Sequence, residues 1–249
     1  MILASLLLMF IGSGATICRH VERPVARAAV LVVVWALATV GMTGIFGLGA
    51  WHVLGAASAA AAFLLVSTTA RGAILAVIAL GTIVLLLSGQ HVPDTGVWAA
   101  WATLPETAPL VRLGVTPQVI AAGIGLLLFL GDAANTVVRA VLESAGVSGA
   151  AERDDDRALL ESLTGARAEH VPFRGGRYVG ALERWLLVVL LSAGALPLAV
   201  ALLAAKGVVR FPEVQRDVDG GSRAEYFLVG TLASLGLALG AVGYLALVR

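Results

Sequence analysis

The stretch ERWLLVVLLSAGALPLAVALLAAK, residues 183–206, sets Glu183 and Arg184 against Lys206, the chain's single lysine, across 21 residues that carry no charge. A bilayer's hydrocarbon layer is about 30 Å thick and takes about 20 apolar residues as a helix. As one helix over residues 182–211, the stretch puts Glu183 and Lys206 about 35 Å apart at 1.5 Å per residue. They would then mark opposite membrane faces and could not pair. Pro197 falls midway and removes a backbone hydrogen bond, so a kink is expected there. Lys206 sits at the membrane boundary, where its long stem snorkels to water. Arg210 shares its face, Pro212 ends the helix, and Glu225 at the start of the next helix is the expected neutraliser.

The rest of the chain is of the same kind. Of 249 residues 59% are hydrophobic and 13% charged, and the mean hydropathy is +0.94. Soluble domains carry about 25% charged residues, so half the usual solvating charge is missing. The fold class is all-α, a polytopic bundle of about seven transmembrane helices. A net charge of +1 gives no basic stripe for nucleic acid. One cysteine, Cys18, excludes an intrachain disulfide and a cysteine-based zinc cluster. Abundant Ala, Gly, Val and Arg with almost no Lys suggests a GC-rich bacterial gene, hence the bacterial cytoplasmic membrane.

The first apolar run, residues 2–18, has no positive charge before it and three arginines after it, Arg19, Arg23 and Arg27. Signal peptides show the reverse order, so a retained helix is expected, with its carboxy end in the cytoplasm. Residues 28–66 carry no charge and are twice the length of one span. They read as two helices reversing in the glycines of GMTGIFGLGAW. A helix over 72–89 follows, then a Pro- and Trp-rich loop, and a fifth helix over about 118–142. Residues 143–177 read as a charged cytoplasmic linker with a short helix led by Asp154, Asp155 and Asp156. They divide a five-helix membrane region, 1–142, from a two-helix region, 178–249. With the amino terminus outside and the carboxy terminus cytoplasmic, twelve of the 17 lysines and arginines fall inside, as the positive-inside rule favours.

Ionisable residues within a membrane face the bundle interior or a cavity. Asp132, Thr136, Arg139 and Glu143 follow at steps of four, three and four with Asn135 beside them, which makes one polar stripe on a helix. The stripe serves either as interhelical glue or as a ligand or proton site. Glu183 and Arg184 open the sixth helix, and a Glu183–Arg139 pair is expected. His20, His52, His91 and His170 are scattered and give no metal motif; neither a metal nor another cofactor is indicated. Gly236 and Gly240 form a G-x-x-x-G face that suits close helix packing or a homo-oligomer.

Three blocks carry a resemblance: GRYVGALER (176–184), LLAAKGVVRFPEV (202–214) and AEYFLVGTLAS (224–234). Together they resemble the carboxy-terminal part of the uncharacterised bacterial integral-membrane family called domain of unknown function 3307, over about the last third of the chain. That pattern has Ser after the lysine, where this chain has Gly207. Family members often carry His and Asp in the early helices. Here residues 23–90 hold no acid and only His52, which puts metal chemistry in doubt. The resemblance implies a fold and a set of marked residues, Glu183, Arg184, Lys206, Arg210, Glu225 and Tyr226, without an activity.

Three functions stay open. The first is a non-catalytic scaffold or regulator in contact with membrane lipids, recruiting a cytoplasmic protein through residues 143–177. The second is transport of a small solute or protons around Asp132, Asn135 and Arg139. The third is an enzyme handling lipid phosphate, with Glu183 and Arg184, or Lys206, Arg210 and Glu225, as candidates.

Overall fold

The computed structural model describes residues 2–46, 49–67, 69–87, 100, 101, 103, 105, 115–146, 176–215 and 222–248. The expected loop helix led by Asp154 and most of the Pro- and Trp-rich stretch lie outside these. The regular structure of the described residues is helical, with no strand. The helices are α1 (Ile2–His20), α2 (Pro24–Phe46), α3 (Ala50–Val66), α4 (Ala70–Leu87), α5 (Pro117–Leu128), α6 (Ala134–Ser144), α7 (Gly176–Ser192), α8 (Leu196–Gln215) and α9 (Ser222–Val248). Among the described residues four helical stretches are long and apolar enough to cross a bilayer: Ile2–His20, Pro24–Gly41, Pro117–Ser144 and Ala224–Val248. The outer surface supports that medium. Val33, Leu37, Leu65, Leu75, Ile78, Val189, Leu198 and Leu232 are all exposed, an apolar belt that water would penalise and lipid does not.

The first helix is the hub of the bundle. Leu6, Phe10 and Ile11 of α1 are fully buried. Helix α5 runs parallel to α1 in close contact, because glycine lets the backbones meet. A methyl on Gly12 would strike the Leu128 backbone at 2.5 Å, and one on Gly125 the Ser5 carbonyl at 2.7 Å. The charge-free run 28–66 divides as its glycines suggest, α2 ending at Phe46 and α3 starting after Gly49. Helix α2 returns along α1, with Trp35 tilted against Phe10 at 5.1 Å between centroids. Helix α3 packs Leu64 against Gly14 and Phe63 edge-on to Phe129 at 6.3 Å.

The opening stretch departs from expectation. Residues 182–211 are not one helix. They belong to α7 and α8, joined by a turn at residues 193–195. Gly194 has φ +72°, the Ala195 amide donates to the Leu190 carbonyl at 2.8 Å, and the Gly194 amide donates to that of Leu191 at 3.1 Å. These bonds close a helix on a left-handed glycine. Pro197 is therefore no mid-helix kink. It occupies the first turn of α8, where its missing N–H would be unpaired anyway.

The extra reversal changes the ends. Gly230 of α9 lies against Leu142 at the carboxy end of α6, and Tyr244 shares a 2.7 Å hydrogen bond with Ser5. Helix α9 therefore runs opposite to α1, and the two termini lie at the same end of the bundle. The expectation of termini on opposite sides is corrected. Gly236 and Gly240 face outward, with open space where a side chain would go.

Candidate functional site

The helix through residues 117–144 breaks its own ladder. Thr116 caps its start, accepting from the Val119 amide at 3.3 Å, and Pro117 occupies its first position. Twelve residues later the chain enters one wider π turn, Phe129–Ala133, with Gly131 at φ −75°, ψ −114°. Such a bulge leaves carbonyls without their usual intrahelical partners. In an apolar surrounding those carbonyls need donors from elsewhere.

Arg184 supplies them. It is 2% exposed and heads the largest fully buried side chains. Its Nε donates to the Leu130 carbonyl at 2.9 Å, and Nη2 donates to the Gly131 carbonyl at 3.4 Å and Asn135 Oδ1 at 2.6 Å. Nη1 donates to Ser234 Oγ on α9 at 3.3 Å. The neighbouring Trp185 donates its Nε1–H to the Leu127 carbonyl at 3.1 Å. Two consecutive side chains of α7 thus cap the bulge, and the planar fork of arginine suits several acceptors at once.

Two ion pairs flank this cap. Asp132, inside the bulge, pairs with Arg19 at the end of α1. Lys206 of α8 pairs with Glu183 of α7. The second pair overturns the expectation that these charges lie on opposite faces. The turn at Gly194 lies about midway between them in sequence, so folding back brings them level. It also replaces the expected Glu183–Arg139 pair and the expected Glu225–Lys206 pair.

The sequence-derived residues therefore separate. Asn135, Glu183, Arg184 and Lys206 come together where α6, α7, α8 and α9 face one another, while Asp132 pairs with Arg19 of α1. Thr136, Arg139 and Glu143 are exposed, so the expected stripe is divided: Asp132 turns to α1 and Asn135 to α7. Glu225 and Tyr226 are exposed at the start of α9. Arg210 lies in α8, and its side chain is outside what is described. Sequence reasoning missed Arg19, Ser234 and the carbonyls of Leu130 and Gly131. The glycine next to an intrahelical acid, "LGDAAN", was the one signal for the break.

Beside Glu183 and Lys206 the packing leaves a cavity of about 10 Å³, bordered by Leu187, Leu203, Thr231 and Ser234. That is about the least that admits one water. Among the described residues no three His, Cys, Asp or Glu converge as metal ligands. Chemically the arrangement pairs Arg19 with Asp132 and Lys206 with Glu183 and gives Arg184 four acceptors, while Nη2 of Arg19 is buried with no hydrogen-bond partner. No family model matches the chain, and no curated protein or solved structure is significantly similar to it.

Proposed function

We propose that the chain is a multi-pass protein of a bacterial cytoplasmic membrane, acting as a non-catalytic scaffold or regulatory component. The observation that carries this reading is the mutual neutralisation of its interior charges. Arg19 meets Asp132, Lys206 meets Glu183, and Arg184 is held by four acceptors. The 10 Å³ beside the lysine counts against a lipid-phosphate site there.

The hairpin α7–α8 supports eight crossings rather than seven. Eight of the ten lysines and arginines among the described residues, all but Arg184 and Lys206, lie toward the end of the bundle that holds Arg19 and Leu142. The positive-inside rule assigns that end to the cytoplasm and both termini to the far side. Glu183 is 11 residues from Gly194, about 16 Å along the helix, which is near the middle of a layer about 30 Å thick.

Residues 143–177 connect helix ends on the cytoplasmic side and are the recruiting segment in this reading. Deleting residues 147–175 from the full chain is expected to strip its co-purifying proteins; an unchanged set overturns the recruiting role. One observation favours transport as a second reading: the broken helix at Gly131 places Asp132 beside unwound backbone, as in transporter sites. Flux in proteoliposomes that disappears with Asp132→Asn, while the protein stays folded, would establish it over the scaffold.

A further inference from the structure

Between α1, α3 and α4 lies a cleft of about 370 Å³. It is lined by Leu7 and Ile11 of α1, Phe63 and Val66 of α3, and Leu75 and Leu80 of α4, with alanines between them. Only Ala, Val, Leu, Ile and Phe line it. It is open at the side: Leu75 is 63% exposed and Val66 48%.

We propose that this cleft seats one acyl chain of an anionic phospholipid from the surrounding bilayer, with the lipid phosphate on Arg71. The lining has no polar group to hold water, and apolar cavities of this kind stay dry and take apolar ligands. One water takes about 10–15 Å³ of this kind of space, so 370 Å³ has room for many methylenes in a row. The cleft opens sideways at Leu75 and Val66 onto the exposed apolar surface, so a flexible chain from the bilayer reaches it directly.

Charge selects the headgroup. Arg71, Leu75 and Ala79 follow at steps of four on α4, hence on one face. Arg71 is exposed and one turn, about 6 Å, beyond the cleft residue Leu75. It lies toward the basic end of the bundle, where the headgroups of one leaflet would be. Residues 23–90 contain no Asp or Glu, so α2, α3 and α4 offer it no carboxylate; Glu143 of α6, the helix packed against α4, lies toward the same end but makes no ion pair with it. A guanidinium binds phosphate oxygens through two parallel hydrogen bonds.

The proposal depends on the chain being in a bilayer and not on whether it is a scaffold. Native mass spectrometry of the full chain, exchanged from micelles into phosphatidylglycerol, phosphatidylcholine or a free fatty acid, tests it. The expected result is one retained phosphatidylglycerol, bound about tenfold more tightly than phosphatidylcholine, a difference of about 1.4 kcal/mol. Arg71→Gln should abolish that preference, and Ala79→Phe, which fills the cleft, should remove the retained lipid. Ile78→Phe, which adds similar bulk outside the cleft lining, should keep it. Ala62→Leu fills the cleft from α3 and replaces Ala79→Phe should the latter fail to fold. Retention unchanged in a folded cleft-filling variant overturns the site. Equal affinity for both phospholipids, or a preference that survives Arg71→Gln, overturns the role of Arg71. A free fatty acid retained as tightly as phosphatidylglycerol overturns the phospholipid.

Discussion

Arg184 illustrates how a charge is kept in an apolar interior without a carboxylate bonded to it. Its four hydrogen-bond acceptors are two backbone carbonyls, an amide oxygen and a hydroxyl, each neutral. Each bond is modest, but leaving the partners bare is costly. Arg184→Met should destabilise the folded protein by about 3 kcal/mol, since loss of a buried charged donor typically costs 1.5–3 and the partners are stranded. Arg184→Lys should recover less than half of that, because an ammonium cannot reach acceptors set around a planar fork. Reversible unfolding in mixed micelles measures both, and equal stability of Arg184→Met and wild type would contradict the capping role. Asp132 and Asn135 were legible as interior polar residues from their apolar flanks. Their partners were not. Arg19 is 113 residues from Asp132, and only the parallel packing of α1 with α5 brings them together.

At the scale of elements, α7 and α8 are antiparallel helices clasped by Lys206 and Glu183. Removing one partner of such a pair strands the other, whereas replacing both with apolar groups is often neutral. Lys206→Met alone should cost about 3–5 kcal/mol. Glu183→Leu with Lys206→Met should cost much less than either single change, and additive costs would argue against the pair. Gly194→Ala should cost at least about 1 kcal/mol, since the left-handed conformation strains any side chain. This turn was legible in "LLSAGALPLA" and was outweighed by apolar length. A glycine with a proline three residues on is a helix stop and restart signal. An unbroken charge-free run hides it, because hydropathy does not register backbone conformation. The reversal in GMTGIFGLGAW was found because the run around it was too long for one helix.

For the whole molecule, the decisive contacts join segments far apart in sequence. Ser5 meets Tyr244, and Gly125 packs on the Ser5 carbonyl. Gly125→Leu should therefore unfold the bundle or cost upward of about 3 kcal/mol by overpacking. Gly240→Leu, with open space at its Cβ, should leave monomer stability within about 0.5 kcal/mol. The sequence pointed to Gly236 and Gly240 because their spacing is the familiar one, yet the close approach uses Gly12 and Gly125, one from each of two helices. Spacing within one helix could not reveal a contact made between two. The topology carries its own test. Alkaline phosphatase fused after residue 248 should be active, as should an amino-terminal fusion carrying its own export signal, whereas a fusion within residues 147–175 should be inactive. Opposite behaviour of the two ends would contradict the α7–α8 reversal.

That reversal also bears on how the chain enters its membrane during synthesis. Glu183 emerges from the ribosome 23 residues before Lys206. If α7 partitioned into lipid by itself, it would carry Glu183 into hydrocarbon without its lysine, and an acid at a helix centre costs about 2.5–3.5 kcal/mol. Entering with α8 as one unit, the two charges cancel before either leaves the insertion channel. A nascent chain halted before Lys206 has been made should keep α7 extractable by alkali, and one released after residue 215 should be resistant. The order of translation thus makes the lysine a licence for the preceding helix.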